Sequence, residues 1–155
     1  MAEIEFDTYA GVRITISDRF RELTADQKKQ VFGPTNPKQQ ALWDQERHLM
    51  ITSEYRKVVP WDSLNISAKN TEKKMAKKAS HYQKIRFERE MNGTFPFYVL
   101  EYTYQIGEIT EHAWTLIFLH KGRLATITFL TRDNSAAEMA DEIQRGIRSV
   151  RPAEG

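Results

Sequence analysis

The alternating pattern in the last third of the sequence constrains the fold more than any other feature. Three segments there have the patterns of β-strands: the outer two alternate apolar with polar residues, and the middle one is a nearly continuous apolar run between turns. These segments are 98–105, 111–119 and 123–131. Only short breaks separate them, at Gly107-Glu108 and at Lys121-Gly122. Parallel neighbours would need a crossover of about a dozen residues, so we predict antiparallel strands that are adjacent in chain order.

The middle strand of this meander is apolar on both faces. One face carries Trp114, Leu116 and Phe118, and the other carries Ala113, Thr115, Ile117 and Leu119. A strand that is apolar on both faces is covered on both faces. The sequence therefore predicts an α+β fold in which an antiparallel β-sheet is sandwiched between helices, an α/β/α sandwich.

Two longer segments are predicted to form the helices that cover the sheet. Residues 62–80 are rich in Ala and Lys, both strong helix formers, and contain neither Gly nor Pro. We expect Asp62 or Ser63 to cap this helix. Its narrow apolar stripe consists of Leu64, Ile66, Met75, Ala76, Ala79 and Tyr82. The second helix, 136–149, repeats apolar residues at spacings of four, four and three, and 133–135 offer caps for its start.

Shorter patterns complete the expected order of elements. Strands at 4–8 and 12–16 meet at a tight turn, and a short helix over 25–31 follows. One or two strands fit within 42–55. Asn92-Gly93 is typical of a type I′ β-hairpin, because both positions of that turn need positive φ angles.

Composition excludes several classes of protein. The 155 residues fit a single domain, 1–155, and the absence of Cys excludes disulfides and thiolate-bound metals. A net charge of +2 is too weak to predict nucleic acid as a partner. No apolar run approaches the ~20 residues of a membrane span, and the first ten residues do not resemble a secretory signal. We expect a cytoplasmic protein without metal or cofactor.

A lysine cluster is the first candidate binding feature. It contains Lys69, Lys73, Lys74, Lys77 and Lys78, with Glu72 as the only nearby acid. Such a cluster can dock an acidic partner or phosphates, but it is also typical of a solvated helix face. The second reading is favoured, because the cluster lacks the Arg and aromatic residues that nucleic-acid sites interleave.

Aromatic residues form the second candidate. Trp43 has polar neighbours, and Trp61 follows a proline at the start of the long helix. Trp61 can pack back on that helix or point outwards as an anchor for a partner, and we expect the outward orientation. Tyr98, Tyr102 and Tyr104 share one face of a strand. This stripe is a core layer beneath a helix or an open face that grips a ligand, and burial is the more common outcome.

Catalytic motifs are missing from the sequence. The four His residues lack the spacing of a helical metal site, no G-x-S-x-G motif occurs, and the carboxylates, Asp44 and Glu101 among them, read as solvated edge charges. We therefore expect a protein that is not an enzyme. An enzyme whose acid and base residues assemble only in the folded chain is the weakest alternative.

The order of elements resembles a known fold. The resemblance rests on the lysine-rich helix and on the segments YAGVRITISDRF, QERHLMITSEY, MNGTFPFYVLEYTY, WTLIFLHKGRLATITFLT and IRSVRP. Nearly the whole chain is similar in layout to the fold shared by the PsbP, Ran-binding Mog and bacterial DcrB-like proteins. This resemblance implies a non-catalytic protein-binding module, an adaptor or a chaperone that holds an apolar segment of a secreted or membrane-destined partner. A small hydrophobic-ligand carrier that uses the aromatic sheet face is the alternative.

Overall fold

The computed structural model describes residues 2–32, 39–59 and 62–153. Ten strands and three helices lie within these ranges. The strands are β1 (Glu3–Asp7), β2 (Val12–Ser17), β3 (Arg21–Glu22), β4 (Gln40–Asp44), β5 (Leu49–Lys57), β6 (Gln83–Asn92), β7 (Phe95–Ile106), β8 (Ile109–His120), β9 (Arg123–Arg132) and β10 (Arg151–Pro152). The helices are α1 (Ala25–Phe32), α2 (Leu64–Lys78) and α3 (Ala136–Arg148).

A seven-stranded antiparallel sheet forms the centre of the molecule. Its strand order is β3-β4-β5-β9-β8-β7-β6. The predicted meander of β7, β8 and β9 is confirmed, with the strands adjacent in chain order. Lys121 and Gly122 both have positive φ angles, 50° and 74°, as a two-residue type I′ turn requires.

Helices cover both faces of this sheet, which confirms the predicted sandwich. On one face, α3 and the small sheet β1-β2-β10 cover the main core, with α3 packed against β2 and β9. On the other face, α2 packs against β7 and β8. The largest fully buried side chains of the main core include Ile14, Phe97, Leu116, Phe118, Ile127, Ile143 and Ile147.

The first third of the chain agrees with the sequence pattern. β1 and β2 form the predicted hairpin, and Gly11 in its turn has a φ of 81°. Helix α1 starts with reciprocal bonds: the Gln27 N–H donates to the Thr24 side chain, and the Thr24 N–H donates to the Gln27 side chain. The expected stop of this helix at Gly33-Pro34 lies outside the described residues.

Helix α2 begins where the sequence predicts but faces the sheet differently. Ser63 caps it by accepting a hydrogen bond from the N–H of Ile66. Ala68 is fully buried against Ile117 and Leu124, yet Ile66 is 64% exposed. Two residues correspond to about 200° around a helix, so Ile66 lies opposite Ala68. The predicted apolar stripe is wrong here and at Ala76, which is also exposed.

Asn92 has a different role from the predicted one. It is the last residue of β6 and pairs with Phe95, and only Gly93 of the Asn-Gly pair has a positive φ, 59°. The predicted type I′ turn at this pair is therefore wrong. Instead, the Asn92 side-chain amide donates to the carbonyls of Ile147 and Val150, each at 3.0 Å. These bonds satisfy carbonyl groups at the C-terminal end of α3.

The start of α3 also differs from the expectation. Its apolar residues lie as predicted, with Ile143, Ile147 and Val150 buried and Met139 partly buried against the same core. Asp133–Ser135 form a 3₁₀ turn before the helix, and the Ser135 side chain makes no capping hydrogen bond.

A partly buried ion-pair network ties the β4–β5 turn to α3. Arg47 bonds to Asp44 at 2.5 Å and to both carboxylate oxygens of Glu142. Both carboxylates raise the pKa of Arg47, led by the hydrogen bond to Glu142. The Asp44 side chain is 4% exposed, so the expectation of a solvated edge charge is wrong there. Asp44 is instead the most deeply buried side chain of this network.

Removing the bonds of Asn92 should weaken the attachment of α3. We expect Asn92→Ala to lower the free energy of unfolding by about 1–2 kcal/mol, because two hydrogen bonds to helix-end carbonyls are lost. Asn92→Asp should do the same, since a carboxylate has no N–H to donate. Urea denaturation measures both, with Thr94→Ala in the exposed turn as a neutral control. Wild-type stability in both Asn92 variants would contradict this role.

Removing Arg47 should cost more than removing a surface arginine. We expect Arg47→Met to lower the free energy of unfolding by about 3 kcal/mol, because it leaves the buried Asp44 carboxylate unpaired. Arg13 pairs with the exposed Asp7, at 2.6 Å. Arg13→Met is the matched control, with an expected cost below about 1 kcal/mol. Equal losses in the two variants, measured by chemical denaturation, would show that Asp44 does not depend on Arg47.

Candidate functional site

Helix α2 leaves part of its sheet face uncovered. It packs mainly on β7 and β8 and reaches Leu124 at the start of β9, whereas β5 and the rest of β9 extend beyond it. Glu54 of β5 lies opposite Thr126 of β9, and Met50 lies opposite Leu130. Alternate residues of a strand share one face, so all four side chains lie on the α2 side of the sheet.

A groove runs between α2 and this uncovered strand pair. Its volume is about 340 Å³. The residues that line it include Glu54, Arg56, Lys74, Met75, Lys78 and Leu124, and we call it the α2 groove. The four charged side chains among these are three cations and one carboxylate, all on exposed residues. The groove therefore combines an apolar floor with a basic, solvent-exposed rim.

A second depression continues the same surface. It has a volume of about 200 Å³ and is lined by Trp43, His48, Met50, Glu111, Leu130 and Arg132, among others. We call it the Trp43 pocket. Trp43 on β4 lies opposite Met50 on β5, and Met50 is four residues, or about 13 Å, along the strand from Glu54. We call the α2 groove and the Trp43 pocket together the docking face.

Burial raises the pKa of Glu111, which lines the Trp43 pocket, and the pKa of its cross-strand neighbour Tyr104. It raises the pKa of Glu111, although Arg132 and His48 act in the opposite direction. Burial likewise raises the pKa of Tyr104, which lies opposite Glu111 in register, to about 12. Tyr104 is therefore a neutral hydrogen-bond donor at physiological pH, next to a carboxylate with an increased proton affinity.

The tyrosine stripe is divided between the core and the surface. Tyr102 is 2% exposed, and its hydroxyl lies 3.3 Å from that of Thr115. Tyr98 is half-buried and donates to Asn65 of α2 at 2.5 Å. Tyr104 is also half-buried. The alternative of an open aromatic face is thus wrong at Tyr102, because this part of the sheet packs against Met75 and Tyr82.

The predicted lysines fall on two sides of α2. Lys74 and Lys78 line the α2 groove. Lys73 and Lys77 are exposed and do not line it. Helical geometry explains this division, because residues four apart share a face while adjacent residues differ by about 100°. Trp61, the remaining predicted anchor, lies outside the described residues, and its role stays a prediction.

Sequence reasoning missed a charged cluster on the α3 side of the sheet. The His112 nitrogens lie 2.8 Å from Glu101 and 3.2 Å from Asp133, and the ring stacks on Trp114. Glu101 also pairs with Arg86 at 3.3 Å, so it is not the solvated edge charge that we expected. These residues are distant in sequence, and only strand register brings them together. Each His112 nitrogen thus faces a carboxylate, Glu101 on one side and Asp133 on the other.

The described residues contain neither a cluster of metal-ligating side chains nor a helix that could span a membrane. Among them, no group of three or more His, Asp or Glu side chains is placed to hold a metal ion. None of the helices in the described ranges has the length and hydrophobicity of a membrane span.

Comparisons with known proteins connect the chain to solved structures rather than to sequences. No protein family matches the sequence, and no curated protein matches it either. The cyanobacterial PsbP protein CyanoP from Synechocystis sp. PCC 6803 is similar in structure, with a TM-score of 0.71 and 12% identity, over 97% of this chain and 92% of that one. The Ran-binding protein Mog1p from Saccharomyces cerevisiae has a TM-score of 0.65 and 9% identity, over 99% and 96%.

A protein of unknown function from Pseudomonas aeruginosa, described as a putative regulator, has a TM-score of 0.62 and 8% identity, over 98% of both chains. These likenesses span nearly the whole chain, and at such low identity they concern the fold alone. The expected link to DcrB-like proteins stays a prediction. The chain has the PsbP/Mog-like fold that its sequence resembles.

Proposed function

We propose that this chain is a non-catalytic protein-binding module whose partner docks on the docking face. The observation that carries the proposal is the shape of that face. It is an open surface between a helix and two strands, with exposed Glu54, Lys74 and Lys78 at its edge, rather than a closed cavity. Small-molecule sites bury most of their ligand, whereas an open groove fits a segment of chain.

Charge and hydrophobicity define the chemistry of the partner. Arg56, Lys74 and Lys78 attract acidic groups, while Met75 and Leu124 offer apolar contact within the same groove. Trp43 and Met50 extend the apolar contact into the Trp43 pocket. A segment that combines apolar with acidic residues would complement both the basic rim and the apolar contacts of the docking face. Holding such a segment of a secreted or membrane-destined partner is the task of an adaptor or chaperone, which we place in the cytoplasm.

The structural comparisons support a binding function in one respect. One protein with this fold is described as Ran-binding, so the fold is compatible with recognition of another protein. No residue of that protein is transferred to this chain, since the identity is 9%.

The two alternatives have less support. A carrier that grips its ligand with the aromatic sheet face would need access to Tyr102, which packs beneath α2. For an enzyme assembled by the fold there is no specific observation, since the sequence carries no catalytic motif and the charged cluster at His112 is a set of contacts with Glu101 and Asp133.

The lysines of α2 should contribute little to folding. In the described residues, no ion pair involves Lys73, Lys74, Lys77 or Lys78, all of which are exposed. We expect substitution of these four lysines by Gln to leave the melting temperature unchanged or slightly higher, because repulsion between lysines four residues apart is relieved. Differential scanning calorimetry measures this, and a large decrease would reveal stabilising partners for the lysines.

Peptide binding tests the proposal directly. We would incubate the full chain with an array of 12-residue peptides that vary independently in acidic and apolar content, and then titrate the strongest peptide in solution. Peptides that contain both residue types should bind best. The double variant Lys74→Glu/Lys78→Glu should weaken binding by about tenfold, because two attractive charge contacts become repulsive.

A matched variant on the same helix makes this test specific. Lys73→Glu/Lys77→Glu introduces the same charge change outside the α2 groove and should retain most of the affinity. Equal losses in the two variants would show that only the overall charge of α2 matters. An array without any selective binding would contradict the proposed function.

A further inference from the structure

A further cavity lies on the opposite side of the large sheet from the docking face. It is formed between α3, β2 and the ends of β5 and β9, and its volume is about 250 Å³. Five apolar side chains that are at most 5% exposed line it: Ile16, Phe20, Leu49, Phe129 and Ile143. We call this cavity the α3 cleft. Its interior is therefore lined by apolar residues that belong to the main core.

Two ion pairs flank the α3 cleft. Arg145 of α3 bonds to Glu3 of β1 at 3.1 Å, and Glu142 of α3 bonds to Arg47 of the β4–β5 turn. Glu3, Glu142 and Arg145 themselves line the cleft. These contacts tie α3 to β1 and to the β4–β5 turn.

The charge at the mouth is negative. Glu138 and Asp141 also line the cleft and are exposed. Within the described ranges, neither takes part in an ion pair or a hydrogen bond, whereas the cations Arg47 and Arg145 are each held by carboxylates. Two uncompensated carboxylates therefore lie beside an apolar cavity.

We propose that the α3 cleft binds a small organic cation, an aryl- or alkylammonium whose apolar body enters the cavity while its ammonium group meets Glu138 and Asp141. The volume supports this size, because a dry cavity of about 150 Å³ accommodates benzene and drug-sized ligands need about 300 Å³ or more. A ring with a short side chain fits between these limits. The site is separate from the docking face and does not depend on the proposed function.

The charge of the ligand should decide its affinity. The apolar body gains from leaving water, and an ammonium group can remain partly hydrated at the exposed carboxylates. An anion of the same shape would instead meet the like charges of Glu138 and Asp141. An uncharged analogue would keep only the apolar contribution.

NMR titration of the full chain with 2-phenylethylammonium tests this proposal. We expect saturable shifts of backbone amides at the cleft, including those of Phe20, Ile143 and Gly146. Under the same conditions 2-phenylethanol should bind about tenfold more weakly, and 3-phenylpropionate should give no saturable shift.

Variants at the mouth separate the charge effect from folding. Glu138→Gln/Asp141→Asn should weaken 2-phenylethylammonium binding by about tenfold with little change in melting temperature, because both residues are exposed and unpaired among the described residues. Glu54→Gln on the docking face is the control and should bind like the wild type. Absence of saturable shifts, shifts confined to another surface, or equal affinity for the amine and the alcohol would overturn the proposal.

Discussion

Burial of β8 on both faces is the constraint on which the rest of the molecule depends. Residues 112–118 are all buried, and Trp114, Leu116 and Phe118 belong to the main core beneath α3 and the small sheet. Ile117 packs with Ala68 of α2, and Ala113 belongs to the neighbouring cluster that includes Met75. One strand therefore requires two separate covers, because apolar surface left on either side would remain in water.

The two covers differ in extent, and this difference creates the candidate sites. On the α3 side, a helix and a second sheet enclose a large core, and the α3 cleft is a cavity at the edge of this core. On the α2 side, a single 15-residue helix covers β7 and β8, which leaves the docking face over β5 and β9. We propose a compact ligand for the first site and a segment of chain for the second.

Polar contacts fix how the covers attach to the sheet. Arg47 joins the β4–β5 turn to α3, and Asn92 joins the end of β6 to the C-terminal end of the same helix. On the other side, Tyr98 holds Asn65 near the start of α2. Apolar packing alone is not directional, so these bonds select one placement of each helix.

The sequence by itself determined the order of the elements, the antiparallel meander and the need for helices on both faces, because these follow from local periodicity and short turns. It also predicted Trp43, Lys74 and Lys78 as binding residues; they line the docking face, and their role in binding stays a prediction. Only the tertiary structure decided that Ile66 faces solvent, that Asn92 bonds to α3, and that Glu101 and Asp44 form partly buried ion pairs. Such outcomes depend on contacts between residues far apart in the chain, which strand register and helix rotation establish.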